Sequence, residues 1–243
     1  MPQELLVLEN ISIARDNRTL VRGVSFVVNS GEVHALMGPN GSGKSTLAHA
    51  IIGDERLVLI EGNIRFKGES IKDIKTDERA RKGIFLAFQN PVTIAGVLVA
   101  DYLRLIFEAG GRKHMDPKEF HAYLEGALKA LGMPLSFLSR GVNENFSGGE
   151  KKKFEILQLR VLSPELIILD EVDAGLDVDA LKNIGEEIER SLKNGAGVLI
   201  ITHHRKLLNR IAPHYVHIMR EGKIAHSGKA ELLSRIERDG YTF

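Results

Sequence analysis

The chain has 243 residues, of which 43% are hydrophobic, so it can bury one sizeable core but is too short for two large domains. Lysine and arginine total 33 against 32 aspartates and glutamates, and the resulting net charge of +1 excludes the basic surface of a typical nucleic-acid-binding protein. The sequence contains no cysteine, which excludes disulfides and thiolate metal sites.

The N-terminal residues lack the basic region followed by an apolar one that is typical of a signal peptide, and no apolar run approaches the roughly 20 residues that span a bilayer. We therefore expect a soluble, cytoplasmic protein that is not itself inserted into a membrane.

The first part of the chain predicts an antiparallel sheet beside a buried strand. Apolar residues recur in β fashion over 5–13 and 24–28, with a turn at 16–18 between them, and 63–66 predict a further strand. Residues 33–37 predict the buried strand, and 46–52 predict a helix that ends at Gly53.

A glycine-rich loop with the spacing G-x-x-x-x-G-K-S connects that strand to that helix and is typical of a phosphate-binding P-loop. Glycines allow the turns that aim backbone N–H groups at a phosphate, and a helix N-terminus favours an anion. Lys44 would place its charge at the β- and γ-phosphates, and Ser45 would place its hydroxyl on Mg²⁺. The predicted ATP-binding residues are Gly38, Pro39, Asn40, Gly41, Ser42, Gly43, Lys44, Ser45 and Thr46.

The charged run at 77–83 predicts a short, solvated helix, because mixed-sign runs usually face water, and 84–88 predict a strand. The mostly apolar segment 91–97 has two interpretations. Its side chains either form an exposed docking loop for a partner or pack into the helices that follow.

From about residue 98 to 163 the pattern becomes helical. An apolar-rich helix is predicted over 98–109, and Asp116-Pro117-Lys118-Glu119 predicts the capped start of a second helix. We therefore expect a single domain over 1–243, in which a helical block at about 91–163 interrupts an α/β core formed by 1–90 and 164–243.

After residue 163 the chain returns to α/β. The predicted strand at 166–169 ends in Asp170-Glu171; Asp170 would hold Mg²⁺, and Glu171 would polarise the water that attacks the γ-phosphate. An ordinary strand end is the alternative. A helix over 181–192, a strand over 198–202 and a hairpin over 215–227 complete the pattern.

Ser147-Gly148-Gly149-Glu150 stands where a loop meets a helix, which makes it a second anion-binding device. One nucleotide does not need two phosphate cradles from the same chain. The second cradle is therefore predicted to close on the nucleotide of another copy. A glycine-rich helix cap without a ligand is the alternative.

These motifs, together with Gln89, Asp177 and His203, occur in the order and spacing of an ABC-type ATPase cassette, and the resemblance covers nearly the whole chain. It implies an α/β P-loop NTPase core with an antiparallel β subdomain and an inserted helical subdomain, and it implies Mg²⁺-dependent hydrolysis of ATP.

The resemblance also implies roles for single residues. Gln89 would sense the γ-phosphate, Mg²⁺ and a partner, Asp177 would end the D-loop, and residues 147–150 would be the signature motif. His203 would contact the γ-phosphate and act in catalysis together with Glu171.

Stretches at 87–92, 146–152 and 175–182 resemble the SufC branch of this family, the ATPases of the SUF iron–sulfur cluster assembly system. This resemblance implies scaffold partners similar to SufB and SufD and a transient, ATP-dependent homodimer that remodels them. One departure concerns the first hairpin, where Ile13-Ala14-Arg15-Asp16 offers no aromatic side chain for stacking on adenine.

Two other functions fit the same motifs. The ATPase subunit of an ABC membrane transporter would use identical chemistry with a different partner. A nucleotide-gated adaptor with little turnover is opposed by Glu171 and His203, because both hydrolytic positions are filled.

Overall fold

The computed structural model describes residues 3–87, 92–111, 114–172, 178–202 and 205–241. The strands in chain order are β1 (Glu4–Arg15), β2 (Arg18–Asn29), β3 (Val33–Met37), β4 (Val58–Phe66), β5 (Glu69–Ser70), β6 (Ile84–Ala87), β7 (Ile94–Leu98), β8 (Gly141–Val142), β9 (Leu166–Asp170), β10 (Gly197–Ile201), β11 (Tyr215–Arg220) and β12 (Lys223–Gly228). The α-helices are α1 (Lys44–Ile52), α2 (Thr76–Arg81), α3 (Val99–Ala109), α4 (Pro117–Ala130), α5 (Gly148–Leu162), α6 (Val178–Lys193), α7 (Arg205–Arg210) and α8 (Glu231–Asp239), and Leu135–Ser139 form a 3-10 helix.

A parallel sheet lies at the centre of the fold. Within the described residues it contains six strands in the order β12-β11-β3-β10-β9-β6, of which β12 runs antiparallel to β11. Every residue of β3, β9 and β10 is buried, as expected for parallel strands covered on both faces. Because these strands run parallel, the carboxyl ends of β3, β10, β9 and β6 lie along the same edge of the sheet.

The predicted antiparallel sheet is also present, with strand order β2-β1-β4-β5 in the described chain. Its first turn falls where it was predicted, and Asp16 and Asn17 adopt left-handed backbone angles that Asp and Asn tolerate. The prediction for β4 was too short, because this strand begins at Val58 and its first residues are largely exposed, without a clear apolar alternation.

Helices α3, α4 and α5 and the 3-10 helix surround an aromatic cluster. Phe137 and Phe146 lie 4.6 Å apart between ring centroids, and Phe154 meets the edge of Phe146. The predicted cap of α4 is confirmed, since the Asp116 side chain accepts from the Glu119 N–H and the Glu119 side chain accepts from the Asp116 N–H. The division of the chain at residues 91 and 163 stays a prediction.

The predicted short, solvated helix is α2, and Arg79 is the one buried residue among its six. Arg79 is only 4% exposed, and its guanidinium donates to the carbonyl oxygens of Ile74, Lys72, Ala50 and Ile51. The last two carbonyls belong to the C-terminal end of α1, where a positive charge is favourable. A run of mixed charges does not show which lysine or arginine side chain will donate hydrogen bonds to backbone carbonyl oxygens.

No helix within the described ranges is both long and apolar enough to cross a lipid bilayer.

Two buried histidines connect neighbouring strands of the central sheet. His34 of β3 and His217 of β11 are 2% and 4% exposed, and His34 Nδ1 lies 3.0 Å from His217 Nε2. Glu32 contacts the far nitrogen of His34, and Ser227 contacts that of His217. Burial lowers the pKa of both rings, and that of His217 falls to about 4. The Glu32 carboxylate raises the pKa of His34 and offsets only part of the effect of burial.

We expect this pair to make the fold acid-sensitive. An unfolded histidine protonates near pH 6.5, whereas folded His217 resists protonation down to about pH 4. The neutral His217 ring therefore contributes its full stabilisation above pH 6.5, and this contribution is lost as the pH falls from 6.5 to 4. The loss for His217 alone is on the order of 3 kcal/mol. About 2 kcal/mol of this loss falls between pH 7.5 and pH 5, and urea unfolding at these two pH values measures it.

His217→Gln should lose less stability between these two pH values than the wild type, because one buried titrating ring is gone. His121→Gln is the matched control, since His121 is exposed on α4. Equal losses in all three proteins would contradict the prediction.

Candidate active site

The P-loop lies between β3 and α1, as the sequence predicts. Lys44 is 5% exposed, and its Nζ donates to the carbonyl oxygens of Gly38 and Pro39, both at 3.0 Å. Burial lowers the pKa of Lys44, while the carboxylates of Glu171 and Asp170 raise it. In the described part of the chain no side chain caps the start of α1, so the first N–H groups of this helix are available to an anion.

Gly38 holds the loop close to β11. Its φ angle is +149°, and a Cβ atom built on it would lie 2.1 Å from the carbonyl oxygen of Met219. A Cβ on Gly43 would lie 2.9 Å from the Met219 methyl carbon and 3.1 Å from the carbonyl oxygen of Leu20. These two glycines therefore have a packing role that the sequence pattern did not indicate, because Met219 is distant along the chain.

The turn between β11 and β12 braces the loop further. The N–H of Gly222 donates to the carbonyl oxygen of Ser42 at 3.0 Å, and the carbonyl of Gly222 accepts from the N–H of Arg22 at 2.7 Å. The loop is thus tied to both sheets through backbone atoms.

Asp170 meets the P-loop helix at the edge of the sheet. It ends β9, is 5% exposed, and its Oδ1 accepts a hydrogen bond from Ser45 Oγ at 3.1 Å. Burial raises the pKa of Asp170, and the Ser45 hydrogen bond lowers it. The structure therefore brings together two residues that the sequence analysis assigned to Mg²⁺.

The donor set at this point suits magnesium. A hydroxyl and a carboxylate are the hard oxygen ligands that Mg²⁺ prefers. Among the residues the structure describes, no three histidine or acidic side chains converge to hold a metal by themselves. A magnesium ion here would need phosphate and water oxygens as well, which is its usual manner of binding to proteins.

Glu171 adopts an unusual backbone conformation directly after β9. Its φ angle is +49°, and such left-handed angles cost a non-glycine residue about 1–3 kcal/mol. Its N–H donates to the carbonyl oxygen of Ile201 at 2.9 Å, so the end of β10 fixes this turn. Strain of this kind is often retained at functional sites, and nothing in the local sequence indicated it.

In the single chain, the 147–150 motif forms a helix cap. Ser147 Oγ accepts from the Glu150 N–H at 3.2 Å, and Glu150 Oε2 accepts from the Ser147 N–H at 2.8 Å. Arg140 also pairs with Glu150 and lies over the ring of Phe146 at 4.5 Å. The Arg140 hydrogen bond, with help from the Ser147 N–H, holds the pKa of Glu150 down to about 2.

The two glycines of this motif are exposed and unconstrained. Cβ atoms built on Gly148 and Gly149 meet nothing within 4 Å, and neither residue has a left-handed φ angle. Nothing described in their own chain therefore requires glycine at these positions, in contrast to Gly38.

Three predicted site residues, Gln89, Asp177 and His203, lie outside the described residues. In the sequence, Gln89 follows β6 and His203 follows β10. β6 ends at Ala87 and β10 at Ile201, on the sheet edge that also carries the P-loop and Asp170. Their roles stay predictions.

A P-loop between a parallel strand and a helix, with an antiparallel sheet and a helical block beside it, defines an ABC cassette of the P-loop NTPase class. A solved structure described as "Structure of ATP binding subunit of ABC transporter" superimposes with a TM-score of 0.82 at 27% identity, covering 98% of this chain and 95% of that one. The predicted fold class is confirmed.

Sequence comparison agrees with the fold. The family model described as "ABC transporter" matches residues 21–174. A protein named "Probable ATP-dependent transporter ycf16" from Guillardia theta is 43% identical over 99% of this chain and 97% of its own length. "ABC transporter I family member 6, chloroplastic" from Arabidopsis thaliana is 44% identical over 94% of this chain and 69% of its own length. The chain belongs to the ABC transporter family and is an ATP-binding ABC ATPase.

The glycine geometry predicts that alanine lowers the stability of the fold at one position and leaves it unchanged at another. Gly38→Ala should cost roughly 3 kcal/mol or more, because the new Cβ would overlap the Met219 carbonyl and strain the backbone. Gly149→Ala should cost nothing, because it adds a methyl group at an exposed helical position where alanine is preferred. Guanidinium unfolding without nucleotide measures both, and equal stabilities would show that the loop does not rest on β11.

Proposed function

We propose that this chain hydrolyses ATP with Mg²⁺, that two copies close on ATP, and that this closure drives a conformational change in a scaffold similar to SufB and SufD in the cytoplasm. The observation that supports the chemistry most directly is the hydrogen bond between Ser45 and Asp170 beside the P-loop. It unites the two halves of a magnesium-nucleotide site from distant parts of the sequence.

In this proposal the N–H groups of the P-loop and of the start of α1 bind the phosphates. Lys44 leaves the carbonyl oxygens of Gly38 and Pro39 and turns toward the β- and γ-phosphates. Ser45, Asp170 and Gln89 would hold Mg²⁺, which supplies positive charge against the negative charge on the phosphates.

Glu171 follows Asp170 at the same edge and would orient and deprotonate the attacking water. His203 would contact the γ-phosphate. Both residues stand as proposed catalytic residues, and the electrostatic influence of Glu171 on Lys44 supports its nearness to the phosphate site.

The homodimer is supported by Gly148 and Gly149. Their own chain does not require glycine at either position, but close approach of a phosphate from a second copy would. The N–H groups at the start of α5 would then contact the γ-phosphate on the opposite copy, with Ser147 and Glu150 holding the helix start and Asp177 at the same interface.

The partner site is supported by an open groove of about 560 Å³ between the core and the helical block. Its lining includes Phe85 of β6, Tyr102 of α3, Val92 and Ile94. Val92 is 77% exposed and Ile94 38% exposed, whereas Val97 packs against the core. The docking interpretation therefore suits Val92 and Ile94, and the packing interpretation suits Val97.

A membrane transporter is the second candidate partner. Two of the relatives carry transporter names, and a groove of this kind could receive either partner. The scaffold is preferred because the stretches at 87–92, 146–152 and 175–182 resemble the SufC branch.

Glu171→Gln keeps the side-chain shape and removes the charge. Hydrolysis should fall by about 10²–10⁴-fold while ATP still binds, so an ATP-bound dimer should accumulate. Phosphate release measures the first effect and size-exclusion chromatography with Mg·ATP the second. Persistent turnover by a monomeric Glu171→Gln protein would refute these assignments.

Lys44→Ala should abolish ATP binding in calorimetry.

Gly149→Ala in the Glu171→Gln background tests the composite site. The fold of the monomer should be unaffected, as argued above, and ATP should still bind to the P-loop. The dimer should be lost, because the methyl group occupies the space that the second nucleotide approaches. A double variant that dimerises as readily as Glu171→Gln would exclude this motif from the interface.

Stimulation of the ATPase by a purified SufB–SufD complex tests the partner. Replacing Val92 and Ile94 by serine should remove the stimulation and leave melting temperature and basal activity unchanged, because both side chains are exposed. Leu135→Ser is the matched control, since Leu135 is 44% exposed and does not line the groove. Absence of stimulation even in the wild type would favour the transporter.

A further inference from the structure

Arg140 contacts the predicted signature motif from outside it. Its guanidinium forms an ion pair with Glu150 Oε1 and donates to the carbonyl oxygen of Asn145 at 3.2 Å. Its Cζ atom lies 5.2 Å from the ring centre of Phe137 and 4.5 Å from that of Phe146, and both rings are buried. Three kinds of contact therefore fix this one side chain.

The backbone of Arg140 is held as well. Its carbonyl oxygen accepts from the N–H of Val99 at 2.9 Å, at the start of α3. The residues that follow Arg140 form β8, which pairs with β7. Arg140 therefore has a fixed place between this strand pair and the motif.

Each carboxylate oxygen of Glu150 has a partner of its own. Oε1 contacts Arg140, and Oε2 accepts from the N–H of Ser147 at 2.8 Å. The Glu150 N–H donates in turn to Ser147 Oγ at 3.2 Å. Within the described residues this cap leaves the N–H groups of Gly148 and Gly149 without a side-chain acceptor. These are the groups that a nucleotide on a second copy would contact.

Glu150 brings a negative charge to the start of α5. Its pKa of about 2, lowered by the hydrogen bonds from Arg140 and from the Ser147 N–H, keeps it ionised at physiological pH. A phosphate near this helix start is also negative, so an uncompensated carboxylate in the first turn would repel it. The two paired side chains are 33% and 36% exposed, and such a pair adds little to the stability of a fold. Its charge compensation matters when an anion comes close.

We propose that Arg140 is a positioning residue for the composite ATP site. It neutralises Glu150 and holds this side chain against the helix start, so that the N–H groups of Gly148 and Gly149 meet the γ-phosphate of a second copy without repulsion. This role presupposes the proposed ATP-dependent homodimer. It gives Arg140, which belongs to none of the sequence motifs, a part in closing the dimer.

Arg140→Met in the Glu171→Gln background tests this role. Methionine keeps an unbranched apolar side chain beside the two rings and removes the charge. The Kd of the dimer at saturating Mg·ATP should rise about 10-fold or more, because each dimer would contain two uncompensated Glu150 carboxylates. Analytical ultracentrifugation measures it. Calorimetry with Mg·ADP should give the affinity of the background protein, because the P-loop of each copy is unchanged.

A second substitution separates charge compensation from a purely structural role. Glu150→Gln removes the negative charge, and glutamine can still accept from the Ser147 N–H in a capping box. Added to Arg140→Met, it should restore most of the lost dimer affinity, whereas two structural losses would add. Arg140→Lys keeps the charge and should dimerise nearly as the background does. Should Arg140→Met fail to fold, Arg140→Gln replaces it with the same expectation.

Arg104→Met is the matched control. Arg104 pairs with Glu108 at 3.0 Å, donates to the carbonyl oxygen of Met115 at 3.4 Å and lies 5.8 Å from the ring centre of Phe120. None of these partners belongs to the motif. The control should lose as little stability as Arg140→Met does and should dimerise as the background does.

Two failures are distinguishable. If Glu171→Gln stays monomeric with Mg·ATP, the proposed homodimer is wrong and the role of Arg140 falls with it. If Glu171→Gln dimerises and Arg140→Met does so equally well, the homodimer stands and the role of Arg140 is overturned. The same conclusion follows if Glu150→Gln does not restore the dimer of the Arg140→Met protein.

Discussion

The contact between Gly38 and the carbonyl oxygen of Met219 is the constraint on which the candidate site depends. It fixes the start of the P-loop against β11, and Lys44 then closes over the same residue. The family model ends at residue 174, before Met219 and before the turn at Gly222 that braces Ser42. The motif that defines the family is therefore held in shape by a part of the chain beyond the region that the model matches.

The parallel sheet brings the other residues of the candidate site to this loop. With β3, β10 and β9 side by side, Ser45 reaches Asp170, although 125 residues separate them. Lys44 Nζ donates to carbonyl oxygens of its own loop, so a phosphate bound as proposed would have to compete with them for this charge. The first N–H groups of α1 carry no side-chain cap in the described chain. Binding would then move one flexible side chain and leave the backbone almost unchanged.

Features set by neighbouring residues were predictable from the sequence. The turn at Asp16-Asn17, the cap of α4 at Asp116 and the strand–loop–helix around Lys44 all follow from local chemistry. Features set by distant partners were not. The carbonyl ligands of Arg79 and the left-handed turn of Glu171 against Ile201 depend on how the sheet brings separate segments together. Within the site, sequence motifs indicated which residues meet but not what holds them in position.

The position of Met219 and Gly222 in the chain has a consequence for synthesis. The P-loop emerges from the ribosome early, whereas Met219, which lies against Gly38, and Gly222, which binds Ser42, follow only after most of the protein has been made. At about 5–20 residues per second, the loop would wait roughly ten seconds or longer for these contacts. A nascent chain would pass through this interval with its phosphate-binding motif translated but unsupported, and it could acquire affinity for ATP only near the end of translation.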